Sequence, residues 1–189
     1  MTKFSAFIVF LIIITAVGLN GLFTMNEKQQ GLVLQFGEPK RVVQDSGLNF
    51  KIPLIQNVVR YDKRILEYDL PIEEVIAVDK KRMLIDSFTR FKITDPLEFY
   101  KTVGSESNVR NRLNSNVISS LRRVVGTVTL DELLSKDRSN IMIRIRDEVN
   151  NEASRFGIEI VDVRIRRADL PEANSQAIYE RMISERARE

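Results

Sequence analysis

Residues 4–23 read "FSAFIVFLIIITAVGLNGLF", 20 consecutive residues without a charge. At ~1.5 Å per helical residue such a run reaches roughly 30 Å, the thickness of a bilayer's hydrocarbon core, so the rest of the chain must fold with one end held in a membrane. Phe4, Phe7, Ile8, Phe10, Leu11, Ile13, Val17, Leu22 and Phe23 are the residues expected to carry this anchor. A cleaved signal peptide is the competing reading, with Lys3 as a basic flank and Ala16 and Gly18 as a small-x-small site. The apolar run continues past that site, beyond the ~7–15 residues of a signal core, which favours an uncleaved span. Lys3 and the α-amino group precede the run, while Glu27 and Lys28 cancel beyond it. The positive-inside tendency therefore places the N-terminus in the cytoplasm and the bulk of the chain across the membrane.

The chain of 189 residues has room for one or two small domains and contains no cysteine, histidine or tryptophan. Without histidine or cysteine, the usual zinc sites and the Ser-His-Asp and Cys-His nucleophile systems are excluded. No glycine-rich phosphate loop is present, and no cofactor is expected. With 29 Lys and Arg against 26 Asp and Glu, the net charge is only +3, so nucleic acid is not an expected partner.

After the anchor, short apolar or alternating runs are bounded by Gly, Pro, Asn and Asp: "QGLVLQFG", "KRVVQDSG", "LNFKIPLI", "QNVVRYD" and "RILEYDLPIEEVIAVD". They predict strands, and only residues 24–30 resemble a linker. In "RMLIDSFTRFKI" (82–93), Met83, Ile85, Ser87, Thr89, Phe91 and Ile93 oppose Leu84, Asp86, Phe88, Arg90 and Lys92, as in a sheet covered on one face. The period then changes. Asp95-Pro96 predicts a helix start; Val109, Leu113, Val117, Leu121 and Val124 or Val125 step by fours; Thr129-x-x-Glu132 has the form of a capping box. Ile141, Ile145, Val149, Ala153 and Phe156 form a third stripe that ends at Gly157. "IEIVDVRIRR" returns to period two, with Ile158 and Ile160 inward and Val161, Val163 and Ile165 as further inward candidates. This order predicts an α+β fold: a single N-terminal transmembrane helix, a domain mainly of antiparallel strands followed by helices, and the start of a long helix or coiled coil. The expected boundaries are 1–25 for the cytoplasmic N-terminus and anchor, 26–168 for the domain and 169–189 for the closing helix.

Candidate chemistry is sparse. Glu73 with Glu74, and Asp131 with Glu132, are adjacent pairs whose side chains diverge, so neither makes a general acid/base couple. A Ser/Lys dyad remains open, with Ser87, Ser119, Ser120 and Ser135 available, but no spacing recommends one; no catalytic residue is assigned. Arg164, Arg166 and Arg167, like Arg122 and Arg123, read as solvated polar faces or as partners for acidic residues of a neighbouring subunit. The stretch "GLNFKIPLIQNVV" (47–59) is unusually apolar. It is either a buried strand pair or a surface on which Leu48, Phe50, Ile52, Leu54 and Ile55 rest in the outer face of the bilayer.

The last segment, "RRADLPEANSQAIYERMISERARE" (166–189), carries an apolar stripe of Ala173, Ala177, Ile178, Met182 and Ile183, with Arg181 one turn before Glu185. No stop signal follows, so the native chain is expected to continue or to meet another copy. Together with "EKQQGLVLQFGEPKRVVQDSGLNFKIPLIQNVVRYDKRI" (27–65) and "IDSFTRFKITDPLEFY" (85–100), this segment resembles the successive blocks of the SPFH, or band 7, family, which includes stomatins, prohibitins and flotillins, and within it the bacterial HflK/HflC branch. The resemblance implies a non-enzymatic scaffold of the bacterial inner membrane. It would pair with an HflK-like sister subunit, self-associate into a large hetero-oligomeric cage on the periplasmic side, and enclose and modulate the membrane AAA+ protease FtsH. A stomatin-like scaffold for a different partner is the alternative. The same resemblance implies that Leu170, Pro171, Ile178, Arg181, Met182 and Glu185 begin the subunit-interface helix. Ser46 departs from the Pro that the family often has before its "GLNFKIP" block.

Overall fold

A computed structural model describes residues 20–134 and 138–169, which fall into two compact units. The first holds residues 20–64 and Ile93–Thr102, and the second holds Ile65–Lys92 and the described residues from Val103 onward. Residues 4–19 of the expected anchor and the interface-helix positions Leu170, Pro171, Ile178, Arg181, Met182 and Glu185 lie outside the described residues. Among those described, no helix is long and apolar enough to cross a membrane.

The first unit is built from β1 (Leu22–Met25), β2 (Gln29–Gln35), β3 (Glu38–Val43), β4 (Gly47–Phe50), β5 (Gln56–Asp62) and α1 (Pro96–Thr102). β1 pairs antiparallel with β4, and β2 is the centre of a three-stranded sheet in the order β3-β2-β5. This corrects the sequence reading at its first element, because Leu22 and Phe23 belong to a strand and not to the anchor. Leu22 pairs with Phe50, while Phe23 is buried with Met25, Val33 and Val43, against which Val58 packs. The break falls at Asn20-Gly21. A Cβ on Gly21 would stand 2.5 Å from the Phe50 ring and 2.9 Å from the Lys51 carbonyl oxygen, and the Lys51 N–H donates to the Gly21 carbonyl at 2.7 Å. Glycine alone permits that approach, and beyond it the partner strand accepts the alternation of "LFTM". The stretch read as a linker is likewise mostly strand, since β1 and β2 take up all but three of its residues.

The Asp95-Pro96 start of α1 forms as predicted, with Asp95 Oδ1 accepting from Leu97 N at 2.8 Å and Glu98 N at 3.1 Å. That helix inserts Phe99, fully buried, edge-on to the Tyr61 ring with centroids 5.0 Å apart. Gln30 is a buried polar residue of this core, and its amide donates to the Ile93 carbonyl at 2.7 Å.

The second unit is organised around β8 (Arg82–Ile93, its last residue belonging to the first unit). β6 (Leu66–Asp69) and β7 (Glu73–Ile76) pair antiparallel with successive stretches of it. The Leu70 N–H continues that ladder to the Ser87 carbonyl at 3.0 Å, so β6 and β7 run along one edge of β8, and β9 (Ile158–Asp169) also pairs with β8. Met83, Ile85, Ser87, Thr89 and Phe91 are buried, as the alternation predicts. The sheet is covered by α2 (Glu106–Val125), α3 (Leu130–Leu134) and α4 (Arg138–Ala153). Val109, Leu113, Val117, Leu121, Val124 and Val125 of α2 are buried, as are Ile141, Ile145, Val149 and Ala153 of α4. The capping box closes in both directions: Thr129 N–H donates to Glu132 Oε2 at 2.8 Å, and Glu132 N–H donates to Thr129 Oγ1 at 3.2 Å. α4 runs into a short 3-10 turn (Ser154–Phe156), which ends at Gly157 with φ of +69°.

β9 departs from simple alternation. Ile158 and Ile160 face the core, but so do Val163 and Ile165, with Val161 and Asp162 half-buried between them. The parity change has the form of a bulge at 161–162 and keeps an apolar face inward on both sides of it.

Candidate membrane-contact site

The pairing of β1 with β4 sorts this hairpin-like pair into two faces. Phe23 and Met25 turn into the core, and Leu22 and Thr24 turn out with their cross-strand partners Phe50 and Leu48. Cross-strand partners share a face, so Leu22, Leu48 and Phe50 form one exposed apolar surface. The chain then turns through residues 51–55, held by Gln56 N–H to Ile52 O at 2.9 Å and Ile52 N–H to Gln56 Oε1 at 2.8 Å. Ile52 and Ile55 are exposed, and Leu54 is 99% exposed at the tip with φ of +69°. A left-handed conformation costs a bulky side chain about 1–2 kcal/mol. The turn therefore spends conformational energy to hold a leucine in solvent, where burial returns nothing.

All five residues singled out in the sequence, Leu48, Phe50, Ile52, Leu54 and Ile55, thus lie on the surface and not in a buried strand pair. Sequence reasoning missed two others. Leu22 is hidden in the apolar run. Phe36 sits at the β2–β3 turn with φ of +52°, followed by Gly37 at +89°, and is 82% exposed. Because Gln35 pairs with Gln56, this turn opens at the same end of the sheet as the 51–55 turn. The signal for it was present: "FG" between two alternating runs marks a two-residue hairpin turn. Cations flank the surface. Arg41 is exposed and donates to the Phe50 carbonyl at 2.7 Å, and Lys51 lies in the turn itself.

The other sequence candidates resolve differently. Glu73 and Glu74 do diverge, engaging Arg122 at 2.8 Å and Arg82 at 3.4 Å respectively. The basic clusters find their acidic partners within the chain: Arg164 with Asp162, Arg166 with Asp69 and Asp86, Arg167 with Asp169, and Arg123 with Glu148. Arg166 also lies over the Phe88 ring, 5.1 Å from its centroid. Among the described residues no group of His, Cys, Asp and Glu is placed to hold a metal.

Asp162 accepts from Arg90 at 2.7 Å and from Arg164 at 2.6 Å, joining β9 to β8. Burial pushes its carboxyl up, but the two guanidinium hydrogen bonds outweigh burial and hold it below the usual carboxylate range. A depressed folded-state pKa stabilises the fold above the unfolded value near ~3.9, and that contribution is lost as pH falls through the lower folded value. Asp162→Asn is therefore expected to cost about 0.5–1 kcal/mol at pH 6, and progressively less as pH falls through the lowered folded-state value. Urea melts of both proteins across that range check it, and a pH-independent difference would refute the assignment.

This architecture, with antiparallel strands followed by helices and a closing strand, is that of an SPFH domain. The SPFH domain / Band 7 family model matches residues 23–189, and the chain belongs to that family. Among curated relatives it is 31% identical to "Protein HflC" of Haemophilus influenzae, across 93% of this chain and 63% of that protein. It is 31% identical to "Protein HflC" of Buchnera aphidicola subsp. Schizaphis graminum, across 88% and 62%. It is 26% identical to "Modulator of FtsH protease HflC" of Escherichia coli K12, across 95% and 68%. The chain spans a little under two thirds of the length of the first two relatives.

Proposed function

We propose that this protein is a non-enzymatic scaffold subunit of the HflC type, held at the bacterial inner membrane by a single span and seated on the bilayer surface by its first unit. The observation that carries this reading is the exposed surface of Leu22, Leu48, Phe50, Ile52, Leu54 and Ile55 directly beside Gly21, where the expected anchor ends. Residues 4–20 supply 17 uncharged positions, at the short end of what spans a bilayer. A domain emerging at Gly21 meets the headgroup region at once. Its apolar face would enter the acyl boundary while Arg41 and Lys51 meet lipid phosphates. The N-terminus is then cytoplasmic and both units periplasmic.

The name of the Escherichia coli relative supports FtsH as the partner. In this reading the chain pairs with an HflK-like sister subunit, and Leu170, Pro171, Ile178, Arg181, Met182 and Glu185 begin the helix that packs against neighbouring subunits in a cage around the protease. Control of proteolysis is then steric, through access of membrane substrates to the enclosed enzyme. Full-length protein extracted in mild detergent is expected to co-purify with an HflK-like subunit and FtsH in a particle many times the mass of one chain. Recovery as a monomer with neither partner would overturn the reading.

A further inference from the structure

With β6 and β7 along one edge of β8, β9 takes the other. The charge pairs Lys92–Glu159, Arg90–Asp162 and Arg166–Asp86 run in opposite directions along the two strands, as antiparallel neighbours do. No further strand pairs with β9 among the described residues, so a 12-residue strand presents a free edge. Unpaired strand edges recruit other chains unless something guards them. Here the guard is partial. Asn150 Oδ1 takes the Ile160 N–H at 2.9 Å, and the Arg138 guanidinium donates to the Ile165 carbonyl. In a strand, alternate residues direct their backbone groups to the same edge. Val163 therefore opens its N–H and C=O on the same side as the Ile165 carbonyl, between the two guarded positions.

Beside Ile165 lies a cavity of about 350 Å³ between β9 and α4. Met142, Ile143 and Ile165 give it an apolar wall, and Ile143 is 46% exposed although it is a large aliphatic residue on a helix surface. Arg138, Arg146 and Arg164 line it; Arg164 shares Asp162 with Arg90, and Arg146 pairs with the exposed Asp147, so four guanidinium groups stand against two carboxylates and the groove stays net cationic. A free strand edge facing a helix across a cationic groove is the geometry in which an extended segment can add as a strand and place alternate side chains in the groove.

We propose that the groove between β9 and α4 captures an extended, carboxylate-bearing segment of a partner protein by strand addition, with Arg138, Arg146 and Arg164 reading its acidic side chains. The partner is not a second copy of this chain, because on the other described edge strands only Glu67 of β6 is outside a salt bridge, its neighbour Asp69 being held by Arg166, and one carboxylate does not match three guanidinium groups. Glu73 and Glu74 of β7 are engaged by Arg122 and Arg82, Glu38 of β3 by Lys40, Asp62 of β5 by Arg64, and β4 has no acidic residue.

The test uses the full chain in detergent and an eight-residue fluorescent peptide of alternating Val and Glu, followed by fluorescence anisotropy. Saturable binding is expected, weakened more than about tenfold when alternate peptide amides are N-methylated, when Lys replaces Glu, or when the protein carries Arg146→Glu and Arg164→Glu. Arg164 is exposed and Arg146 half-buried, and circular dichroism of the variant confirms its fold. Equal binding of the N-methylated peptide would rule out strand addition, and equal binding of the Lys peptide would rule out charge reading. Absence of binding, accompanied by a change of oligomeric state in the double variant, would assign the groove to contacts between copies and overturn the proposal.

Discussion

Phe99→Ala is expected to destabilise the first unit by about 3–5 kcal/mol, whereas Phe36→Ala, the same chemical change, should stay within about 0.5 kcal/mol of the parent. Phe99 is fully buried and meets the Tyr61 ring edge-on, so truncation removes both the transfer energy of the ring and its packing partner, and leaves a cavity beneath α1. Phe36 is 82% exposed at a hairpin tip and loses nothing by truncation in water. With no tryptophan in the chain, amide hydrogen exchange is the natural readout, since it reports β2 and β5 separately from α2 and α4. Protection in β2 and β5 should fall in the Phe99 variant and hold in the Phe36 variant. Equal losses would mean that Phe36 is covered in solution.

Elements whose cause is local were legible in the sequence. β8 alternates over its whole length because one face is covered and the other wet, and no distant contact is needed to see it. The stripes from Val109 to Val125 and from Ile141 to Ala153, the Thr129–Glu132 capping box and the Gly157 stop are likewise written within a few residues of where they act. What could not be read depends on approach between distant segments. Leu22 and Phe23 have the composition of an anchor, and only the fit of Gly21 against Phe50 and Lys51 turns them into a strand. Residues 64–79 read as one extended run and prove to be two short strands, because Pro71 lies between Asp69 and Glu73 and cannot donate to the ladder. The parity change in β9 follows from matching an inward face on both sides of a bulge, which no single period describes. For the candidate site, apolar composition drew attention to residues 48–55, which the structure exposes, but left their environment open between a buried strand pair and a surface. Hydrophobicity says that a segment seeks cover, and the covering surface here is not another part of the described chain.

Leu48→Asp with Leu54→Asp is expected to abolish bilayer binding by the protein trimmed before Asn20, while leaving its fold intact. These two positions separate the effects better than Phe50, whose ring lies against Gly21 and contributes to the β1–β4 contact. Leu48 is 68% and Leu54 99% exposed, so neither contributes appreciable burial to the folded protein. At Leu54, where φ is +69°, aspartate tolerates the backbone better than leucine does, and stability should hold or rise slightly. In the membrane the balance reverses. Each leucine withdrawn from the acyl boundary forfeits about 1.5–3 kcal/mol of transfer energy, and each aspartate adds repulsion from anionic headgroups. The double change should therefore lower partitioning by a factor on the order of 10² or more. Flotation with vesicles of phosphatidylethanolamine and phosphatidylglycerol measures the partitioning, and a thermal melt of the same samples measures the fold. Undiminished flotation with an intact fold would show that the exposed leucines face something other than lipid, and the strained turn at Leu54 would then be a protein-docking element.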